Sequence, residues 1–184
     1  MKISRIAALP LAAAIAAGVA TTASADVTYT LTNQTFTGFN FSLAAAAGSL
    51  SGTLTGVSVD AVLLASTSYT YADDLCVYLD AGALSTGGAA QIGGFSNLLA
   101  AQRYVWPNGA SSAPGTSVSG TVTLITALNL TGSDLNVWIG NGYGAAGTSG
   151  TWSGTVTLHG VSVVPAPGAI ALLGLAGLAG RRRR

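Results

Sequence analysis

Few side chains in this chain of 184 residues carry reactive groups: one histidine, one cysteine and six aspartates, with no glutamate. The single histidine, His159, cannot build a metal cluster alone, and the sequence holds neither a Gly-x-Ser-x-Gly elbow nor a Cys/His pairing for nucleophilic catalysis. Its place in an alternating apolar segment predicts that His159 faces away from the core, toward solvent or a second layer. The adjacent Asp73 and Asp74 point to opposite faces of an extended segment, which does not suit acid-base catalysis. We therefore predict no catalytic residue and no enzyme.

A different use of Asp73 and Asp74 is calcium binding, because Ca²⁺ is coordinated by carboxylate and carbonyl oxygens. Asp60, Asp80 or loop carbonyls would complete the ligand set. The Asp-x-Asp-x-Asp-Gly spacing of a dedicated calcium loop is absent from the sequence. Calcium is an open hypothesis at this pair, and no other cofactor is indicated.

Aromatic side chains give the chain a candidate binding activity, since Trp and Tyr rings stack on sugar rings. Trp106 precedes a Pro-Asn-Gly turn sequence, so we expect its indole to be exposed, with Tyr104 beside it. Arg103 and Asn108 would donate hydrogen bonds to sugar hydroxyls. These residues predict a shallow glycan-binding site.

Charge is scarce between the two chain ends. Residues 26–163 contain one basic residue, Arg103, against all six aspartates. A domain without a cluster of cations cannot neutralise a phosphate backbone, which excludes nucleic acid as a partner. The lone Cys76 lies in an apolar segment and is predicted to be buried. The Gly-x-Gly-x-x-Gly pattern at residues 142–147 lacks a following helix and is predicted to be a hairpin loop.

Most of residues 26–163 consists of short β-branched and aromatic segments separated by Gly, Ser, Asn and Pro, a pattern that predicts strands. Leu75 to Leu79 and Thr151 to Val161 are the clearest, and Trp152 is predicted to point into the core. Within the glycine-rich middle, Ser96 to Arg103 is predicted to form a short helix. About eight strands without a helical layer predict an all-β fold, namely a single antiparallel jelly-roll-like β-sandwich.

Residues 1–25 have the order of a secretory signal peptide: basic Lys2 and Arg5, an apolar stretch, and small residues before a cleavage point. Ala23 and Ala25 form the small-residue site, so the mature chain is predicted to begin at Asp26. A signal helix therefore precedes the sandwich, and the export translocon and signal peptidase are expected partners.

The C-terminal residues 164–184 form a second targeting signal. Apolar residues up to Gly180 cover roughly 20 Å as a helix, against about 30 Å of hydrocarbon core, so they suit a transient hold in the membrane. The terminal arginines are expected to stay on the cytoplasmic side. The motif residues are Val164, Pro165, Ala166, Pro167 and Gly168, and the retention cluster is Arg181, Arg182, Arg183 and Arg184.

This order of parts resembles the PEP-CTERM sorting signals of bacterial surface proteins, which combine a Pro-Glu-Pro-like motif, one hydrophobic segment and a basic end. Ala166 stands where those tails carry glutamate, and a Val-Pro-Ala-Pro-Gly-Ala start is a familiar variant. The resemblance implies processing by an exosortase-type membrane protease and an association with exopolysaccharide.

Inside the domain, Tyr71 to Leu79 and Gly150 to Val156 resemble two strands of P-domain-type β-sandwiches of proprotein convertases, and this resemblance implies no site. The sequence thus predicts an exported, tail-sorted surface or extracellular-matrix protein with a structural or adhesive role. It would be secreted or held in the cell envelope. A carbohydrate-binding module and a secreted hydrolase are the alternatives.

Overall fold

The computed structural model describes residues 25–82, 87–96 and 99–165, where nine strands form two packed β-sheets and the helical content is one 3₁₀ turn, Ala72–Asp74. The all-β prediction is confirmed for these residues. The strands are β1 (Val27–Thr37), β2 (Phe41–Ala45), β3 (Leu50–Thr67), β4 (Leu75–Ala81), β5 (Ala90–Ile92), β6 (Gln102–Tyr104), β7 (Ser117–Asn129), β8 (Leu135–Asn141) and β9 (Ser149–Val163).

Sheet A has four strands in the order β1-β9-β3-β7, and every neighbouring pair is antiparallel. Sheet B has five in the order β2-β8-β4-β5-β6, where only the short β5 and β6 run parallel. The long β3 loses register with both of its partners beside Gly56, as at a β-bulge.

The core lies between the two sheets and contains the alternate residues of each strand. Trp152 of β9 is fully buried there, as predicted, with the ring centroid of Phe36 at 6.1 Å. Its indole Nε1 donates a hydrogen bond to the carbonyl of Ala72 at 3.1 Å, which satisfies the one polar atom of the side chain. This bond ties sheet A to the 3₁₀ turn that begins β4.

The outer face of sheet B is also covered. Cys76 and Tyr78 of β4 are fully buried in a second, smaller cluster with Phe41, while their neighbours Leu75 and Val77 face the main core. The predicted burial of Cys76 is confirmed, and that burial raises the pKa of its thiol. A strand buried on both faces explains why the segment from Leu75 is continuously apolar.

The outer face of sheet A is instead lined with hydroxyl groups. Thr28 bonds Thr157 at 2.9 Å across β1 and β9, and Thr35 bonds Thr151 at 2.8 Å. Such cross-strand Thr pairs add stability to a solvated sheet face. The threonines of the alternating segments therefore point outward, and their apolar neighbours point into the core.

Two local predictions are wrong. The helix predicted for Ser96 to Arg103 is wrong over its described C-terminal end, because Gln102 and Arg103 lie in β6 and pair with β5, while residues 97 and 98 lie outside the described residues. Residues 142–147 do not join a hairpin, because they connect β8 in sheet B to β9 in sheet A. Both segments are glycine-rich or lie beside glycine-rich loops, where long-range pairing decides the structure.

Both chain ends extend outside the described residues. The signal segment up to Ser24 and the tail from Ala166 onward, with its arginine cluster, lie there, so the predicted terminal helices receive no test. Within the described part of the chain, no helix is long and apolar enough to span a bilayer.

Candidate functional site

Trp106, predicted as an exposed sugar platform, is buried, with only 4% of its surface accessible. The chain keeps alternating past the end of β6, so that Arg103 and Val105 point outward while Trp106 turns inward. Its Nε1 donates a hydrogen bond to the carbonyl of Leu75 at 2.6 Å. The prediction of an exposed indole is therefore wrong, and Trp106 instead forms the floor of a cleft.

Tyr104 and Asn108 also serve the framework. The Tyr104 hydroxyl donates to Gln102 Oε1 at 2.6 Å and accepts from the Ile125 amide at 2.6 Å. Asn108 accepts from the Ser119 amide at 2.8 Å through Oδ1. Tyr104 and Asn108 therefore bond to β6 and β7 and do not line the cleft, and their predicted role as sugar contacts stays a prediction. Of the four predicted residues, only Arg103 points toward the cleft rim.

The cleft has a volume of about 300 Å³ and lies at one end of sheet B. It forms where the segments before β4, after β5 and after β8 meet, with the end of β6 along one side. Two rings on its rim are exposed to an unusual degree for aromatic groups, at 78% for Tyr69 and 75% for Phe95. The aromatic lining residues are Tyr69, Tyr71, Phe95, Trp106 and Tyr143.

Asp74 holds two walls of the cleft in place. Its carboxylate accepts the Tyr71 amide at 2.7 Å through Oδ2 and the Phe95 amide at 3.1 Å through Oδ1. The pKa of Asp74 is raised to about 6, mainly by burial and also by the nearby Asp73, while the two amide bonds counteract part of the shift. Burial also raises the pKa of Asp73, which is less enclosed. One carboxylate thus fixes the backbone under two aromatic rings.

Backbone contacts lock the remaining loops together. The Asp74 carbonyl accepts the Gly142 amide at 2.8 Å, and the Asp73 carbonyl accepts the Gly94 amide at 2.9 Å. These bonds bring the Gly94 and Gly142 main chains so close that a Cβ on Gly94, where φ is +78°, would lie 2.8 Å from the Gly142 Cα. Only glycine fits at this crossing.

The ring positions are constrained as well. Phe95 and Tyr143 meet edge to face, with centroids 5.9 Å apart and planes at 84°. Tyr69 has a φ of 63° and follows Ser68 at 51°, so two non-glycine residues occupy the left-handed region of one tight turn. Backbone strain of this kind concentrates at functional sites, where the rest of the fold enforces it. The rings are therefore presented by a rigid frame.

The calcium ligands expected from the sequence do not converge. Asp80 lies six residues along β4 from Asp74, which is roughly 20 Å in a strand. Asp60 lies on sheet A, where it pairs with Ser119 and Thr155. Both oxygens of Asp74 already accept amides. The described residues contain no group of three or more His, Cys, Asp or Glu side chains placed to hold a metal ion.

Phe95 is the aromatic residue of this cleft that lies outside the set of Trp and Tyr rings considered for sugar stacking, to which Tyr69, Tyr71 and Tyr143 belong. Phe95 follows two glycines and Tyr143 lies between two, while Tyr69 and Tyr71 flank a threonine after the long β3. Aromatic residues inside flexible, polar loops were the available signal, because a ring without strand neighbours has no core to enter. Comparison with protein-family models, with curated proteins and with solved structures gives no match.

Proposed function

We propose that this protein is an exported bacterial surface or extracellular-matrix protein whose β-domain binds glycan through the aromatic cleft. The observation that carries the proposal is the set of rings around one preformed cavity, with Tyr69 and Phe95 exposed at its rim. Exposed apolar surface of this kind costs solubility and marks binding sites. The proposed role of the cleft is adhesive and non-catalytic.

The chemistry of the cleft matches a sugar. A pyranose ring presents apolar C–H faces, which pack on aromatic rings, and a belt of hydroxyls, which need polar partners. The cleft offers five aromatic rings together with the polar side chains of Asp73 and Arg103. Its volume of about 300 Å³ lies at the small end of ligand pockets, so it fits a short stretch of polysaccharide.

The charges favour a neutral glycan over an acidic one. Two carboxylates, Asp73 and Asp74, line the cleft against one cation, Arg103. The guanidinium Nη2 already donates to the Phe95 carbonyl at 2.7 Å, which leaves less of the cation to pair with a uronate. Carboxylates accept hydrogen bonds from sugar hydroxyls and repel anionic sugars.

The topology also suits a protein held by its C-terminus. Val27 at the start of β1 and Val163 at the end of β9 lie at one end of sheet A, where Val163 pairs with Leu50. The cleft lies at the other end, beside Thr67, which pairs with Ser149. The fifteen residues of β9 separate the two ends by roughly 50 Å. A membrane hold at the tail would therefore point the cleft outward.

The terminal signals complete the proposal. A signal peptide cleaved before Asp26 and a PEP-CTERM-like tail processed by an exosortase-type protease would deliver the domain to the envelope or medium, where exopolysaccharide is the proposed partner. The finer fold proposal is a jelly-roll-like sandwich between a signal helix and an apolar tail helix. Deleting residues 165–184 should move the protein from the membrane fraction to the medium, and unchanged fractionation would exclude the sorting role.

Affinity electrophoresis tests the glycan class directly. Gels cast with a neutral glucan or galactan should retard the wild-type protein, while gels cast with a polyuronate should not. Weak single sites give useful retention on a polymer because many copies act together. Retardation by the polyuronate alone would contradict the neutral-glycan proposal, and free migration in every gel would exclude glycan binding.

A further inference from the structure

A chain of side-chain hydrogen bonds crosses all four strands of sheet A on its outer face, away from the cleft. Asp26, just before β1, contacts His159 of β9, with Oδ2 2.8 Å from Nδ1. The other ring nitrogen, Nε2, lies 2.5 Å from the hydroxyl of Ser58 on β3. That hydroxyl lies 2.7 Å from the hydroxyl of Thr121 on β7. The order of these residues follows the strand order β1-β9-β3-β7.

The donors and acceptors in this chain follow from the carboxylate. Asp26 also accepts the Gly160 amide at 3.1 Å, and its bond to His159 is the main cause that lowers the pKa of Asp26. An ionised carboxylate only accepts, so Nδ1 of the neutral imidazole must carry the proton. Nε2 then presents a lone pair, and Ser58 must donate its hydroxyl proton to it. Thr121 is left to donate to the Ser58 oxygen.

We propose that Ser58 is a nucleophile toward carboxylic esters, with His159 as its base and Asp26 as the residue that positions the imidazole. A hydroxyl bonded to a base, which is oriented by a third group, is the arrangement that activates serine on unrelated folds. This inference is independent of glycan binding, because its residues lie on sheet A and not in the cleft.

The reaction is ordinary acyl transfer to water. The Ser58 oxygen forms a bond to the ester carbonyl carbon while its proton moves to His159 Nε2. The ester C–O bond then breaks, and the departing alcohol takes that proton. Water then attacks the carbonyl carbon of the acyl-serine and loses a proton to His159. The bond between that carbon and the Ser58 oxygen breaks, the oxygen takes the proton back from Nε2, and the carboxylic acid leaves.

The exposure of the site limits its substrates. The side chains of His159 and Asp26 are 30% and 48% accessible, and Ser58 lies half-buried between them and Thr121. An open sheet face admits an ester that belongs to a larger molecule, so the expected substrate class is a small acyl group esterified to a polymer or to a simple alcohol. We expect low selectivity and slow turnover.

A fluorophosphonate probe tests the nucleophile on the full chain, because it forms a stable bond to an activated serine with loss of fluoride. Peptide mass spectrometry should place the adduct on Ser58, and Ser58→Ala should abolish it. His159→Ala should slow labelling by roughly a hundredfold, the usual contribution of a general base. Asp26→Asn should also slow it, because an amide oxygen orients the imidazole less firmly than a carboxylate.

Ser51→Ala is the matched control, because Ser51 of β3 also bonds a threonine hydroxyl, that of Thr131 in the turn after β7, at 3.2 Å and without a histidine. It should label like the wild type. Each variant is first checked by far-UV circular dichroism, and hydrolysis of p-nitrophenyl acetate should follow the labelling rates. No adduct on Ser58 in the folded wild type, or an adduct whose rate is unchanged in His159→Ala and Asp26→Asn, would overturn the proposal.

Discussion

Sheet A and sheet B differ in regularity and in what their outer faces carry. Sheet A consists of four long antiparallel strands, one of them eighteen residues long, with a solvated outer face of paired hydroxyls. Sheet B includes two strands of only three residues, has an apolar cluster on its outer face, and carries the cleft at one end. The comparison shows that the regular sheet provides the frame, while the irregular sheet provides loops in which aromatic rings stay exposed.

The largest loss of stability is expected from a substitution in the core between the two sheets. Trp152→Ala should lower the free energy of unfolding by about 3–5 kcal/mol, because a fully buried indole is replaced by a cavity and the Ala72 carbonyl loses its donor. Urea denaturation followed by circular dichroism measures this loss. Trp138→Ala, a half-buried ring on the outer face of sheet B, should cost clearly less. Equal losses would contradict the assignment of the core between the sheets.

The next largest effect on the free energy of unfolding is expected from Asp74, and it depends on pH. Its pKa in the folded protein, about 6, lies above the ordinary value of 3.8, so the folded protein holds the proton more tightly than the unfolded chain does. The resulting stabilisation is complete below pH 3.8 and is lost as the pH rises to about 6, a change of ~3 kcal/mol.

Asp74→Asn separates this contribution from those of other groups. The difference in unfolding free energy between wild type and variant should change across that pH range and stay constant above it. Asp73, whose pKa is also raised by burial, titrates in both proteins, so the difference removes most of its contribution and keeps only its coupling to Asp74. A difference that does not vary with pH would show that Asp74 is not enclosed as described.

The glycine crossing at the cleft comes next. Gly94→Ala should destabilise the protein by about 1–3 kcal/mol, because the new methyl adds a clash with Gly142 to the strain of a positive φ. Gly132→Ala is the matched control, since Gly132 has a φ of +65° with open space around it. It should cost clearly less. Equal melting temperatures for the two variants would refute the close approach of the Gly94 and Gly142 main chains.

The strand-forming segments of the fold were predictable, because alternation reports which face of a strand is buried. Leu75 to Leu79 and the buried Trp152 followed from that pattern. Gln102 and Arg103 did not, since their strand exists only through pairing with β5, which no local signal encodes. The prediction of an exposed Trp106 indole failed for a related reason. The alternation of β6 continues past its last residue, and this turned the indole inward despite the following turn.

The site was less predictable than the fold. The cleft is lined by Tyr69 and Tyr143, which are separated by more than seventy positions, and both reach it only because the ends of β3 in sheet A and β8 in sheet B lie side by side. The chain of side-chain hydrogen bonds through His159 likewise depends on the register of β9 with β1 and β3, which places Asp26 and Ser58 on either side of one imidazole. Spacing along the chain carries no trace of either arrangement.

The smallest effect on stability is expected at the cleft rim. Tyr69→Ala with Phe95→Ala removes two rings that are mostly exposed, so the free energy of unfolding should fall by no more than about 1 kcal/mol. The same double variant should lose glycan binding. Loss of binding with little loss of stability would show that these two rings form a binding surface and not a part of the core.

Indole fluorescence titrated with a neutral polysaccharide tests glycan binding most directly, because Trp106 forms the floor of the cleft. The wild type should show a saturable change in emission, the Tyr69→Ala/Phe95→Ala variant should show none, and Ile125→Ala, which removes an exposed apolar side chain that does not line the cleft, should behave as the wild type. A wild-type signal that no neutral polysaccharide changes, or a change that persists undiminished in the double variant, would contradict the account.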